Sequence, residues 1–310
     1  MGVYVKIVIA GGTGLIGETL SSLLVERGHE VFILTRDKKK YSLNSGPVHY
    51  ISWLHDGAKP EERLGSVDVM INLAGSTINT RWSSKGKEKI VTSRLSAVDE
   101  LHRIINKLPR KPKVFVNASA IGFYGTSEKE EYTERTEQPG NDFLADTVVK
   151  WETSVKKIEK EGIRTVLCRF GLVLDDQQGA FPLMLLPYRF FIGGTIGSGN
   201  QWVSWIHVQD VVRAILFVIE NELVKGPVNF TAPSPVPMKK FGRAISYIWE
   251  RPHWLPVPSF VLKVILGEMS LLLLKGQYVF PEKLLKSGFV FHYPELEMAL
   301  KAIANHSNSV

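Results

Sequence analysis

Gly11, Gly14 and Gly17 stand three residues apart, directly after an apolar run ending at Ala10. Residues without side chains let a backbone turn tightly and let a ligand reach bare amides. A helix starting in the same stretch adds unpaired N–H groups and the positive end of its dipole. Such a turn holds a diphosphate, and the backbone of Gly11, Thr13, Gly14, Leu15, Ile16 and Gly17 would meet it. A ligand-free turn is the plainer alternative, but the position between a predicted strand and a predicted helix favours the dinucleotide. The next β-branched run closes at Thr35-Arg36, where the adenosine ribose should be read. An acid there would accept from the 2'-hydroxyl, whereas the planar guanidinium of Arg36 matches a 2'-phosphate. NADP is therefore expected over NAD. Asp37 would restore NAD if the register slipped by one, and a solvated surface arginine is the other alternative.

Other reactive residue types are sparse. His207 and Asp210 are read as a satisfied near-core histidine and a helix N-cap rather than as a catalytic pair. The single cysteine, Cys168, lies in the apolar run Thr165 to Cys168 and reads as a small buried hydrophobe. A disulfide framework is thereby excluded, and a reducing, cytoplasmic setting is expected. No Cys/His cluster has ligand spacing, so no metal is expected.

The elements that must position these residues alternate through the first two thirds of the chain. Strands are predicted at Val5 to Ala10, Val31 to Thr35, Val67 to Leu73, Val114 to Ala118 and Thr165 to Leu174. Helices are predicted at Ile16 to Glu26, Ser84 to Asn106 and Phe143 to Lys160. This alternation implies an α/β fold, a Rossmann-type doubly wound parallel sheet. After Leu174 the texture becomes Pro- and Gly-rich, which is where a smaller C-terminal α+β substrate lobe would begin. Residues 1–175 are thus assigned to the dinucleotide-binding domain and 176–310 to the substrate lobe, with a helical segment at about 254–303. Residues 205–222 read as strand then helix and are expected to return to the first domain.

Composition excludes several classes. With 44% apolar and 22% charged residues, the chain has an ordinary globular balance rather than that of a disordered one. The net charge of +7 is spread out, with Lys38-Lys39-Lys40 the only tight run, so no nucleic-acid partner is expected. The apolar N-terminus lacks a basic region and a small-residue cleavage site, which argues against a signal peptide. The second apolar stretch, Leu255 to Leu274, is broken by Pro256, Pro258, Lys263, Gly267 and Glu268. It reads as a buried helical hairpin, with no membrane partner.

Taken together, the glycine turn, Asn72-Leu73-Ala74-Gly75, and Ala118-Ser119-Ala120 leading to Phe123-Tyr124-Gly125 resemble an extended short-chain dehydrogenase/reductase. A narrower resemblance, to the atypical NAD(P)-dependent epimerase-like group, rests on Arg81-Trp82, on Gly197 to Trp202 leading to Trp205-Ile206-His207, and on Trp254 to Ala302. The resemblance implies a Rossmann domain with NADP and the group's small C-terminal domain. Leu73, Ala74 and Gly75 should then line the cofactor, and Arg94 should stand near it, unless it is an ordinary exposed helix arginine. Gly171 to Leu174 should pass the nicotinamide or else be plain sheet core. Relatives use Tyr-x-x-x-Lys, in which the lysine holds the nicotinamide ribose and the tyrosine exchanges the proton. Lys150 fits the lysine, but Asp146 stands in the tyrosine's place, and the two can equally form a helix ion pair. Tyr124 is the candidate proton donor, or a packing tyrosine, and Ser119 reaches the serine position only by a one-residue shift. Arg81, Trp82, Gln201 and Trp202 are candidate substrate contacts, with Gly193 to Trp202 either a mobile lid or a tight hairpin at Ser198-Gly199-Asn200.

The expected function is an NADP-dependent oxidoreductase or epimerase-like enzyme acting on a small carbonyl, alcohol or nucleotide-sugar-like molecule. The alternative is a non-catalytic NADP-binding sensor, motivated by the missing tyrosine. A monomer or homodimer is expected.

Overall fold

In the computed structural model, residues 5–36 and 46–307 are described. The chain opens with β1 (Lys6–Ala10), α1 (Leu15–Glu26), β2 (Glu30–Thr35), β3 (Val48–Ser52), α2 (Glu61–Leu64) and β4 (Val69–Asn72). There follow α3 (Ser84–Lys107), β5 (Val114–Ala120), a 3₁₀ turn at Ile121–Tyr124, β6 (Glu131–Tyr132), α4 (Phe143–Glu159) and β7 (Arg164–Phe170). Seven strands form one sheet in the order β11-β7-β5-β4-β1-β2-β3, parallel throughout. Strand β11 (Gly226–Phe230) is supplied from late in the chain. The expected doubly wound fold is therefore present. Because helices cover both faces, the central strands are apolar on both sides. Helix α1 and the later α6 (Val208–Glu220) cover one face, burying Leu20, Leu24, Val211 and Ile215. Helices α3 and α4 cover the other, burying Val98, Leu101, Trp151 and Val155. Ser83 caps α3 by accepting from Gly86 N, and Asp142 caps α4 by accepting from Ala145 N.

Beyond β7 come β8 (Leu172–Leu174), α5 (Phe181–Arg189), β9 (Trp202–Val203) and β10 (Trp205–His207). After β11 follow β12 (Val236–Pro237), α7 (Met238–Ile248), α8 (Ser259–Leu266), α9 (Leu271–Leu274), β13 (Tyr278–Val279), α10 (Glu282–Lys286) and α11 (Leu296–Ser307). These build a second core around Phe181, Leu185, Trp205, Phe241 and Leu300. Strand β10 pairs with β8 rather than with the large sheet, and Gly171 permits that pairing, since a Cβ there would lie 2.5 Å from Ser204 O. The large sheet instead gains β11, from within the Pro- and Gly-rich part of the chain. Pro227 is tolerated because β11 is an edge strand with only one neighbour.

Residues after Leu274 return to the first half of the chain. Strand β13 pairs with β6, Ser127 N donates to Gly276 O, and Gln277 Nε2 donates to Ile121 O. The stretch Leu255 to Leu274 corrects an expectation. It does form short helices, but α8 and α9 contain no buried residue. Apolar composition alone does not say whether a neighbour covers a helix.

Candidate functional site

The carboxyl end of β1 runs straight into the glycine turn. Gly11 adopts φ +80°, and a Cβ there would sit 2.6 Å from the carbonyl of Leu73. At Gly17 a Cβ would sit 2.5 Å from Gly11 O and Gly12 Cα. Both glycines are thus required for close backbone approach. Gly14 differs, since its nearest neighbour is 3.7 Å away. Its missing side chain therefore leaves open room above the start of α1, where Gly14 as N-cap supplies no side-chain acceptor. The amides at Leu15, Ile16 and Gly17 are left without a cap beside Thr13, in a geometry that suits a diphosphate.

Neighbouring strand ends complete this edge. Thr35 is buried and Arg36 exposed at the end of β2; Asp37 and Lys38 to Lys40 lie outside the described residues. At the end of β4, Asn72 is fully buried and its Nδ2 donates to Asn117 Oδ1 at 2.7 Å. Its Oδ1 accepts from Ala74 N at 3.1 Å, which fixes Leu73, Ala74 and Gly75 beside Gly11. Arg94 braces the same loop, Nη1 donating to Ser76 O at 3.2 Å and Ile90 O at 2.9 Å, with its guanidinium 5.0 Å from the Trp151 ring. Burial pulls its pKa down to about 10. Arg94 is therefore not an exposed helix arginine.

The ends of β5 and β7 look different. Ser119 is buried and its Oγ donates to Glu152 Oε1 at 2.6 Å. Arg169 donates to both oxygens of the same carboxylate, at 2.9 and 2.8 Å, and lies 3.5 Å from the Phe123 ring centre. Burial opposes its charge, yet the Glu152 partner leaves its pKa raised. Tyr124, expected at an open sheet edge, is 3% exposed and donates to Asn229 Oδ1 at 2.8 Å. Burial pushes its pKa up. It stacks on Tyr132, the arrangement of the packing alternative. The Ser119 hydroxyl is likewise bonded within the protein, to Glu152.

Lys150 forms the ion pair with Asp146, 2.6 Å long and more than half exposed on both sides. The face of α4 that meets the Ile121–Tyr124 turn is two residues out of step with that pair. A Cβ on Gly122 would touch Leu144 at 3.4 Å and Val148 at 4.0 Å. The helix thus presents two aliphatic side chains where an acid and a lysine were sought.

The remaining candidates hold the structure together. Trp82 is buried, its Nε1 donating to Ile78 O and its ring edge-on to Phe143, while Arg81 beside it is exposed. Gln201 is buried and donates to Ile196 O and Leu273 O, and Trp202 donates to Glu128 O. These bonds link the end of the Gly193 to Trp202 loop to neighbouring segments. Leu174 lies fully buried in the second core, so its side chain is core. His207, not Asp210, caps α6, its Nδ1 accepting from Gln209 N. Burial pushes its pKa down to about 4. Asp210 falls inside the first turn, accepting from His292 N and Tyr293 N. Among the described residues no group of His, Cys, Asp and Glu is arranged to hold a metal. No described helix is long and apolar enough to cross a membrane. Cys168 is fully buried.

With this geometry in place, the family model for the NAD dependent epimerase/dehydratase family matches residues 7–230. The chain belongs to that family. The C-terminal part, residues 257–303, matches a domain of unknown function (DUF1731). Epimerase family protein YfhF of Bacillus subtilis is 48% identical, over 96% of this chain and 97% of its own length. A crystal structure of human epimerase family protein SDR39U1 with NADPH superposes with a TM-score of 0.84 at 33% identity, covering 97% of this chain and 99% of that one. The nucleoside-diphosphate sugar epimerase of Corynebacterium glutamicum gives 0.79 at 25%, covering 98% of this chain and 59% of that one.

For this NAD(P)-dependent epimerase-family chain, the features that sequence reasoning missed are the Ser119–Glu152–Arg169 cluster and the Asn72–Asn117 pair. One signal was present. Arg169 interrupts the apolar run from Val166 to Phe170, and a cation buried there requires a carboxylate partner.

Proposed function

We propose that this chain binds NADP and serves oxidoreduction or epimerisation at a carbonyl or alcohol carbon of a small molecule. The observation that carries the reading is the glycine cradle: Gly11 and Gly17 have no room for a Cβ, while Gly14 keeps open space over uncapped helix amides. Arg36, exposed beside it, supplies the cation for a 2'-phosphate, and Arg94 adds a second, half-buried cation near Gly75. The human relative crystallised with NADPH supports this choice. When bound, the nicotinamide would supply or accept hydride. Leu73, Ala74 and Gly75 would line the cofactor, and the exposed Arg81 would meet substrate.

A second reading, a non-catalytic NADP-binding protein, is favoured by one specific observation. Ser119, Tyr124 and Lys150 each have an internal partner, so none is poised to exchange a proton with a ligand. Incubating the protein with NADPH and a panel of ketones, aldehydes and nucleotide sugars separates the two. Turnover of any member supports the enzyme, and cofactor binding without turnover supports the sensor. For the cofactor itself, Arg36→Ala should lower the NADPH-to-NADH affinity ratio about tenfold, the loss of one charge-assisted phosphate contact. An unchanged ratio removes Arg36 from the site.

A further inference from the structure

Against the expectation of no membrane partner, we propose that the face formed by α8, the segment 251–257 and the end of α5 docks onto an anionic lipid bilayer. On α8, Phe260, Val264 and Ile265 are 69%, 83% and 71% exposed, and Trp254 is 65% exposed. Phe190, Phe191 and Ile192 continue this apolar surface. The pieces are held together. Trp254 N and Leu255 N donate to Gly193 O, and Trp254 Nε1 donates to Phe191 O at 2.9 Å. His253 bridges the Tyr188 hydroxyl and Thr195 Oγ1, both at 3.0 Å. Large exposed apolar side chains gathered on linked segments of a globular chain mark an interaction surface.

Charge selects the occupant. Residues 181–201 and 236–266 contain Arg189, Lys239, Lys240, Arg243, Arg251 and Lys263 against one carboxylate, Glu250. Among the described residues, none of the six cations forms an ion pair. Arg251 lies over the Phe191 ring at 4.7 Å, Lys263 shares α8 with the exposed side chains, and Arg243 follows Gly242, which abuts His253. Glu268, just beyond α8, is paired with Lys87, so the exposed aromatic and aliphatic side chains share their segments with an excess of lysine and arginine, which suits the boundary between lipid headgroups and acyl chains. A second copy would bring the same positive face and be repelled. The helix is far too short to span, so it would lie on the surface.

Vesicle flotation of the whole protein tests this, comparing phosphatidylcholine alone with phosphatidylcholine mixed with phosphatidylglycerol. Binding only to the anionic vesicles, weakened by salt, is the expected result. The double variant Phe260→Ser, Ile265→Ser should lower the bound fraction by about tenfold or more, since it removes exposed apolar area. Circular dichroism and melting serve as the check that it folds. Lys263→Glu should act in the same direction. No flotation on either vesicle, or equal flotation of parent and double variant, overturns the proposal. So does light scattering that shows a dimer which the double variant dissociates, because that assigns the face to a second copy.

Discussion

At the carboxyl ends of β1 and β2 the uncapped turn amides and the Arg36 side chain stand open, whereas at the ends of β5 and β7 the polar side chains are closed on one another. The first region offers uncapped amides, an exposed Arg36 and room above Gly14. In the second, Ser119, Glu152 and Arg169 are bonded together, and Tyr124 is spent on Asn229. Open groups bind ligands and closed ones fix a scaffold. In this family member the glycine-turn end of the sheet thus keeps open groups, while Ser119 and Tyr124 at the β5 end are hydrogen-bonded internally.

The largest expected effect that would break this contrast lies in the closed region. Glu152→Ala leaves Arg169 buried without its carboxylate and should cost about 3–5 kcal/mol of stability in a denaturant titration. A loss below about 1 kcal/mol would mean the pair is solvated, as surface pairs are. In the open region, Gly17→Ala places a methyl against the backbone of Gly11 and Gly12. NADPH affinity measured by calorimetry should fall by about a hundredfold, ~2.7 kcal/mol; retained affinity would detach the turn from binding.

A third effect is expected at His207, whose folded pKa of about 4 lies below its ordinary 6.5. Between those values the unfolded chain takes up a proton that the fold refuses. Stability should therefore fall as pH drops from about 6.5, by roughly 2 kcal/mol near pH 5. His207→Asn keeps a capping acceptor and should flatten that dependence when melts near pH 7 and pH 5 are compared; an unchanged slope assigns the acid sensitivity elsewhere. The smallest effect belongs to Lys150→Met, which removes an exposed helix pair worth a few tenths of a kcal/mol. NADPH affinity should not change. A tenfold loss would return Lys150 to the site and erase the contrast.

Much of the open region could be read in the sequence because its signals are local. The glycine spacing, the β-branched run before it and the amphipathic helix after it lie within about twenty residues, where backbone geometry decides. The closed region could not be read this way. Glu152 and Arg169 are seventeen residues apart and meet only after α4 packs against β7, and the two-residue offset between Asp146/Lys150 and Leu144/Val148 depends on how α4 is rotated. Asp210 looked like a cap because it lies near a helix start, yet the helix begins two residues earlier, at Val208. The apolar content of α8 marked a helix but carried no information about its covering.

The return of the chain's last third to its first half has a consequence for synthesis on the ribosome. Glu134, half-buried, accepts from Asn229 N and Lys283 N, and Asn229 Nδ2 donates to Phe280 O. Translation delivers residues 1 to 174 long before those partners exist. The nascent dinucleotide half must therefore wait with Tyr132 and Glu134 wet and one sheet edge unsealed. Over that interval an incomplete chain has most need of chaperone shelter.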